Sequence, residues 1–289
     1  MRPTSMQPQI NWNKHNSNTV NERFRELAAL PDGVLDSLQI GETQWSVEKR
    51  GSIIELITSA RITSIRSIPC TKSGVMSCVD LTDPLRIDAT YAEMLMLSLL
   101  WQPQPESVYI IGFGGGRIPM VLHHFFPDLR VQSTEIEQTA VQMAFTYFGI
   151  SVDERMKVIL DDGLAYLARC TEKCGFDIIM IDCFSPEGIQ PGHFSTSQFY
   201  QLCRRKLRDS GVVTTHLRWD DPLLSTKTAT FARCFPFASH VSRAHSIVLF
   251  GSDHQSDQRT IIERAGKLAS LFGSSIPIFS NLPTIISLS

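Results

Sequence analysis

The segment from Val108 to Pro119, reading VYIIGFGGGRIP, constrains the fold more than any other part of the chain. Four mostly β-favouring residues run into Gly112, Gly114, Gly115 and Gly116, and a helical pattern follows from Pro119. A strand, a tight glycine turn and a helix in that order form a cradle for a phosphate or a nucleoside. Glycine permits positive φ and close approach of the backbone to a ligand, and the start of the helix offers free N–H groups. Such a crossover begins a parallel sheet, whose ligands lie outside the carboxyl ends of the strands.

The pattern after this turn is regular. Strand candidates at 108–112, 130–135, 156–160, 176–182 and 211–216 alternate with helix candidates at 119–126, 137–148, 163–171, 195–208 and 222–234. Two last strand candidates, 237–242 and 245–250, are close enough to form a hairpin. Strand–helix alternation predicts an α/β fold with a Rossmann-like, mostly parallel sheet, and the terminal antiparallel hairpin makes it seven-stranded. Upstream, Val20 to Leu30 is a helix candidate stopped by Pro31, Asp32 and Gly33. Short β-like runs then occupy Trp45 to Asp80, at 51–57, 61–66 and 75–79, and predict a small antiparallel sheet. Tyr91 to Trp101 reads as a largely buried helix. The expected organisation is an arm without order over 1–21, a small β-rich domain over 22–85, a catalytic domain over 86–250, and a C-terminal helix (Gln258 to Leu271) with a tail over 251–289.

Composition narrows the functional classes. With 27 basic and 29 acidic residues the formal net charge is -2, which gives no basis for polyelectrolyte binding to nucleic acid or for a basic membrane-facing surface. No apolar run reaches the roughly 18 residues of a membrane span. A cytoplasmic protein with small-molecule partners is the expectation. The seven cysteines are odd in number and irregularly spaced, which suits reduced thiols. Cys170 and Cys174 lie one helical turn apart, but no second pair completes a zinc site, and no metal is expected.

Four elements carry candidate chemistry. A dinucleotide fingerprint places glycine where this chain has Arg117, so the turn favours a mononucleoside ligand such as an adenosyl sulfonium over NAD. Glu135 ends the next strand, roughly 20 residues past Gly112, where a carboxylate accepts both ribose hydroxyls. After strand 156–160 come Asp161, Asp162 and Gly163; Asp162 is the candidate for an adenine amino group, and Asp161 the alternative helix cap. The apolar strand 178–181 delivers Asp182 to its carboxyl end, where it can accept a proton from an amine nucleophile or hold the attacking nitrogen in line. Residues 188–192 read as a lid, with a bend at Ser185 and Pro186. His193, His216, His240 and His245 lie near strand or loop ends without a constellation; one of them can face the cleft, but each reads first as structural.

Together these elements resemble the spermidine synthase family, a branch of the class I S-adenosylmethionine-dependent methyltransferase fold. The resemblance spans about residues 45–250 and rests on Gly112 to Pro119, on Asp80 to Arg86 and on the helix around Tyr91. It implies a β-rich N-terminal domain, often a homodimer, and aminopropyl transfer from decarboxylated S-adenosylmethionine to an amine. By the same resemblance Glu135 is the ribose-binding acid, Asp162 the adenine-side acid, Tyr91 and Glu93 substrate-side residues, and Asp182 the catalytic aspartate. Two positions depart from the family pattern. Ser185 stands in the substrate site where the second acid is expected, and Gly115 where the glycine loop usually carries Asp. Aminopropyl transfer is the leading expectation. Methyl transfer from S-adenosylmethionine to a small molecule is one alternative, and a noncatalytic nucleoside-binding or scaffold protein is the other.

Overall fold

A computed structural model describes residues 17–63, 69–87, 89–170, 175–185, 188–278 and 285–288. Residues 1–16 of the expected arm, Cys174 and Pro186 lie outside the described residues. Helix α1 (Ser17–Ala29) is followed by a four-stranded antiparallel meander, β1 (Gly33–Ile40), β2 (Thr43–Arg50), β3 (Ile53–Thr63) and β4 (Pro69–Asp80), in that spatial order. Gly41 and Gly51 turn the chain between the first three strands with φ of 57° and 61°.

The meander contains more strand than the sequence pattern foretold. Runs 51–57 and 61–63 belong to one strand, β3, because the polar residues between them still pair with β4. In β2 every second residue is buried, Trp45, Val47 and Lys49. β1 escapes a hydrophobic-pattern search for a physical reason. It is an edge strand with no fully buried position, and Val34 and Leu38 are exposed.

The second sheet holds β5 (Ser107–Ile111), β6 (Arg130–Glu135), β7 (Met156–Leu160), β8 (Phe176–Ile181), β9 (Leu207–Arg218), β10 (Phe237–Arg243), β11 (Ser246–Ser252) and the two-residue β12 (Ile286–Ser287). Their order across the sheet is β12-β10-β11-β9-β8-β5-β6-β7. β5 to β9 pair in parallel, while β11 is antiparallel to both β9 and β10. This is the expected Rossmann-like sheet with its terminal hairpin, extended by a short edge strand. Between strands run α2 (Thr90–Met96) with a 3-10 turn (Leu97–Leu100), then α3 (Arg117–Phe125), α4 (Gln138–Tyr147), α5 (Gly163–Arg169), α6 (Ser197–Lys206), α7 (Leu224–Cys234) and α8 (Gln258–Phe272). Among the described residues no helix is long and apolar enough to cross a membrane.

Alternation along the buried strands feeds two cores, one on each face. Val108 and Ile110 of β5 point into one, and Tyr109 and Ile111 into the other. The first core continues without a break into the meander through Trp45, Val47, Ile54, Leu56 and Val79. The meander is therefore packed on the large sheet. Chain order reverses between β5 and its neighbours β6 and β8, and that switch point is where a crevice opens at the carboxyl ends of the strands.

Behind the crevice lies a buried polar knot. Lys227 Nζ of α7 is 2.6 Å from Asp221 Oδ2 and donates to the Gln190 carbonyl at 2.6 Å. Side-chain exposures of 4% and 1% make this ion pair a dry one. Lys227→Met strands the Asp221 charge in a solvent-free site and is expected to remove about 3–5 kcal/mol of stability in a urea titration. The double variant Lys227→Met/Asp221→Leu, which removes both charges, is expected to recover a large part of that loss.

Candidate active site

The site begins where β5 and β8 end. Their ladder pairs Ile111 with Ile181, and the Asp182 N–H donates to the Ile111 carbonyl at 2.8 Å. Gly112 has φ of 95°, and a Cβ there would lie 2.1 Å from the Asp182 carbonyl oxygen. Only glycine lets the two strand ends come this close.

The glycine turn is then tied down from two sides. Glu135, at the end of β6, accepts the Phe113 and Gly114 N–H groups on Oε2 at 3.0 and 3.2 Å. Its Oε1 accepts the Ile136 and Glu137 N–H groups at 2.8 and 3.0 Å. A carboxylate offers about four acceptor positions, and these four donors occupy them, so any further donor has to displace one. From the meander, Ser77 Oγ accepts the Gly115 N–H at 2.8 Å. A Cβ at 115 would approach the Ser77 Cβ to 2.6 Å and a Phe148 ring carbon to 3.0 Å. The Asp that the family pattern places at 115 is therefore excluded while β4 holds its position. Gly116, at φ 67°, opens α3, and the Arg117 guanidinium turns back to donate to the Pro84 and Arg86 carbonyls. The residue that broke the dinucleotide fingerprint thus fastens the 80–86 stretch to the large sheet.

After β7 it is Asp162, and not the alternative Asp161, that caps the next helix. Asp162 caps α5, its Oδ1 accepting the Ala165 N–H at 2.8 Å, and its Oδ2 lies 3.8 Å from His193 Nε2. Asp161 instead pairs with Arg169 and accepts the Asp162 N–H. Gly163 follows in contact with β5, where a Cβ would meet Ile111 Cγ2 at 2.5 Å, and its carbonyl accepts the Tyr109 hydroxyl.

Asp182 lines the cleft together with Gly112, Phe113, Tyr91, Ser77 and Cys78, so residues of both sheets form its walls. Its Oδ1 is 2.9 Å from His216 Nδ1. His216 in turn stacks on Tyr91, with ring centroids 4.6 Å apart and planes within 4°. The Tyr91 hydroxyl donates to the Met76 carbonyl at 3.1 Å. Burial first, and then the Asp182 charge, hold its phenol well above the ordinary value, so it remains neutral. Burial likewise pushes the Cys183 thiol well up, followed by the charges of Asp182, Glu135 and Asp162.

Two substrate-side expectations meet a different environment. Glu93 Oε2 is paired with Arg243 Nη1 at 2.8 Å, so its charge is balanced from β10. Ser185 sits in a turn, its N–H donating to the Ile189 carbonyl and its carbonyl accepting the Gly188 N–H. Residues 188–192, read from sequence as a lid, are anchored. Gln190 is 1% exposed and donates to Thr215 Oγ1 and the His216 carbonyl, while Ser195 donates to its Oε1.

His216 is the site residue that the sequence reading set aside as structural. Its signal lay in position: it follows Thr215, the ladder partner of Ile181, just as Asp182 follows Ile181. Among the described residues no group of three or more His, Cys, Asp or Glu side chains is arranged to hold a metal ion.

Comparison with known proteins agrees with this geometry. The profile of the spermine/spermidine synthase domain matches residues 88–234. A polyamine aminopropyltransferase of Vibrio vulnificus is 27% identical over 208 residues, covering 70% of this chain and 69% of the relative. An eEF1A lysine and N-terminal methyltransferase of Xenopus laevis is 35% identical over 170 residues, covering 51% of this chain but only 24% of that longer protein. Among solved structures, human methyltransferase-like protein 13 in complex with SAH superposes with a TM-score of 0.54 at 26% identity, over 63% of this chain and 87% of that one. The chain is a transferase and belongs to the spermine/spermidine synthase domain family.

Proposed function

We propose that the protein transfers an alkyl group from an adenosyl sulfonium donor to an amine, with aminopropyl transfer from decarboxylated S-adenosylmethionine as the leading form. The observation that carries this reading is the placement of Glu135 and Asp182 on either side of the glycine turn, at the carboxyl ends of the two strands that flank β5: Glu135 holds the Phe113 and Gly114 N–H groups, and Asp182 abuts Gly112. Carboxylates at that edge attract a cation, and a sulfonium donor is a cation until it reacts.

The residues present suit such a donor. Glu135 and Asp162 are acceptors placed for hydroxyl and amino donors of an adenosyl group. Gly112, Gly114, Gly116 and Gly163 bring bare backbone to the same edge of the sheet. When bound, the donor supplies an electrophilic carbon on sulfur. Asp182 then holds the attacking nitrogen and receives its proton as the new bond forms, while neutral Tyr91 forms the wall beside it.

Methyl transfer is the second reading, and a specific observation favours it. Arg243 balances the Glu93 carboxylate, Ser185 brings no charge, and Ser77 and Phe148 leave no room for an acidic side chain at position 115. A methyl donor needs no anionic site for an aminopropyl tail. Similarity to a Xenopus laevis protein named as an eEF1A lysine and N-terminal methyltransferase supports this second reading.

Calorimetric titration with S-adenosylmethionine, its decarboxylated form and methylthioadenosine, joined to product mass analysis over a panel of amines, separates the two. Failure of all three to bind at millimolar concentration sinks the donor assignment. Glu135→Gln is expected to weaken donor binding by roughly 10- to 150-fold, the worth of about 1.5–3 kcal/mol for a charged hydrogen-bond acceptor. Asp182→Asn is expected to lower kcat by about 10²- to 10⁴-fold with little change in the Kd of the donor, because its proton acceptance matters only in the chemical step.

A further inference from the structure

The side chain that holds Asp182 in place has no role in the reading above. His216 stands beside Asp182 at the carboxyl edge of the sheet, one residue past the Ile181–Thr215 ladder pair. Its Nδ1 is 2.9 Å from Asp182 Oδ1, and its Nε2 is 3.0 Å from Ser246 Oγ, at the start of β11. The ring is buried, at 5% exposure. One face stacks on Tyr91, and the Phe184 ring meets it edge-on at 4.8 Å and 69°. Its backbone is fixed as well, since the Gln190 amide donates to the His216 carbonyl at 3.1 Å. Every degree of freedom of this imidazole is therefore restrained.

The protonation pattern follows from the partners. An ionised carboxylate only accepts hydrogen bonds, so Nδ1 carries a hydrogen toward Asp182. In the neutral ring Nε2 then accepts the Ser246 hydroxyl, which fixes the tautomer. With Oδ1 engaged by His216, Asp182 has Oδ2 left to meet a ligand. A base oriented by a third group is the recurring logic of such sites.

On the reading of Asp182 as the acceptor of the amine proton, the geometry assigns His216 as the positioning residue of the reaction. It clamps Oδ1 through Nδ1–H so that Oδ2 is presented to the nucleophile, and Ser246 holds the ring in that tautomer. The step balances without a further reactant. The nitrogen–carbon bond forms, the carbon–sulfur bond breaks with its electron pair on sulfur, and the ammonium proton passes to Asp182 Oδ2. His216 keeps its own proton throughout. An oriented carboxylate matters here because misplacement by about 1 Å can cost on the order of 10²-fold in rate.

The test compares His216→Ala, His216→Asn and Ser246→Ala with the full-length protein. Asparagine keeps an N–H donor near the Nδ1 position, and alanine does not. Kinetics are run with the donor and amine that the unaltered protein turns over best. His216→Ala is expected to lose about 10- to 100-fold in kcat while the donor Kd, by calorimetry, moves less than about threefold. His216→Asn is expected to recover a large part of that loss. Ser246→Ala is expected to cost a few-fold, roughly, and to have no further effect in the His216→Ala background. Equal loss in His216→Asn and His216→Ala, an unchanged kcat in His216→Ala, or a loss confined to donor Kd overturns the proposal. Nitrogen-15 histidine spectra give an answer that needs no turnover. A protected Nδ1–H signal is expected in the unaltered protein, absent from His216→Ala and displaced in Asp182→Asn. If that signal is present but no amine is alkylated, the reaction assignment fails while the clamp stands. Its absence from a protein that does alkylate amines removes the clamp alone.

Discussion

Everything at this site depends on the approach of two backbone segments, Gly112 at the end of β5 and Asp182 at the end of β8. A methyl group on Gly112 would sit 2.1 Å from the Asp182 carbonyl, so the contact exists only because that methyl is missing. The same residues close both neighbouring ladders, Gly112 N–H to the Thr134 carbonyl at 2.9 Å and Asp182 N–H to the Ile111 carbonyl at 2.8 Å. The glycine turn and the Asp182 carboxylate are thus parts of one hydrogen-bonded frame. Moving either would move the other, and with it Glu135, whose carboxylate holds the Phe113 and Gly114 N–H groups.

Much of this frame was legible in the sequence because parallel sheets convert order along the chain into position in space. Strand runs at 108–112, 130–135, 156–160 and 176–182 each end in, or are followed at once by, a glycine or an acid, Gly112, Glu135, Asp161 and Asp182, and a parallel arrangement brings those ends to one edge. What escaped was of two kinds. β1 lacks a buried face, so no hydrophobic alternation betrays it. The other misses are contacts between residues far apart in the chain. Glu93 meets Arg243, Gly115 meets Ser77, and Gln190 meets His216, and no local pattern encodes any of these pairings. His216 is the instructive case. Its strand was foreseen, and so was the neighbouring strand of Asp182. Only their register shows that the two side chains are adjacent.

The long-range contacts also give the cleft its charge distribution. The carboxylates of Glu135 and Asp182 stand on either side of the glycine turn, at the ends of β6 and β8. Arg243 balances Glu93, and Ser185 brings no charge. Beside Asp182, the half-buried Tyr91 ring stacks on the buried His216, and the half-buried Phe184 ring meets its edge.

This distribution of charge bears on which amine the site would select under the proposed chemistry. Two unit charges 4 Å apart attract by about 4 kcal/mol at an effective dielectric near 20, and solvent at an open cleft lowers this. A diamine whose far ammonium meets neutral Ser185 forgoes an attraction of that kind, and the Arg243 side of the Glu93 pair repels it. An acceptor with one amine and an uncharged stem loses nothing by the exchange. The stem can be that of a small molecule or of a lysine, since both present the same amine to Asp182. Selection then falls to the length and polarity of the chain behind the amine.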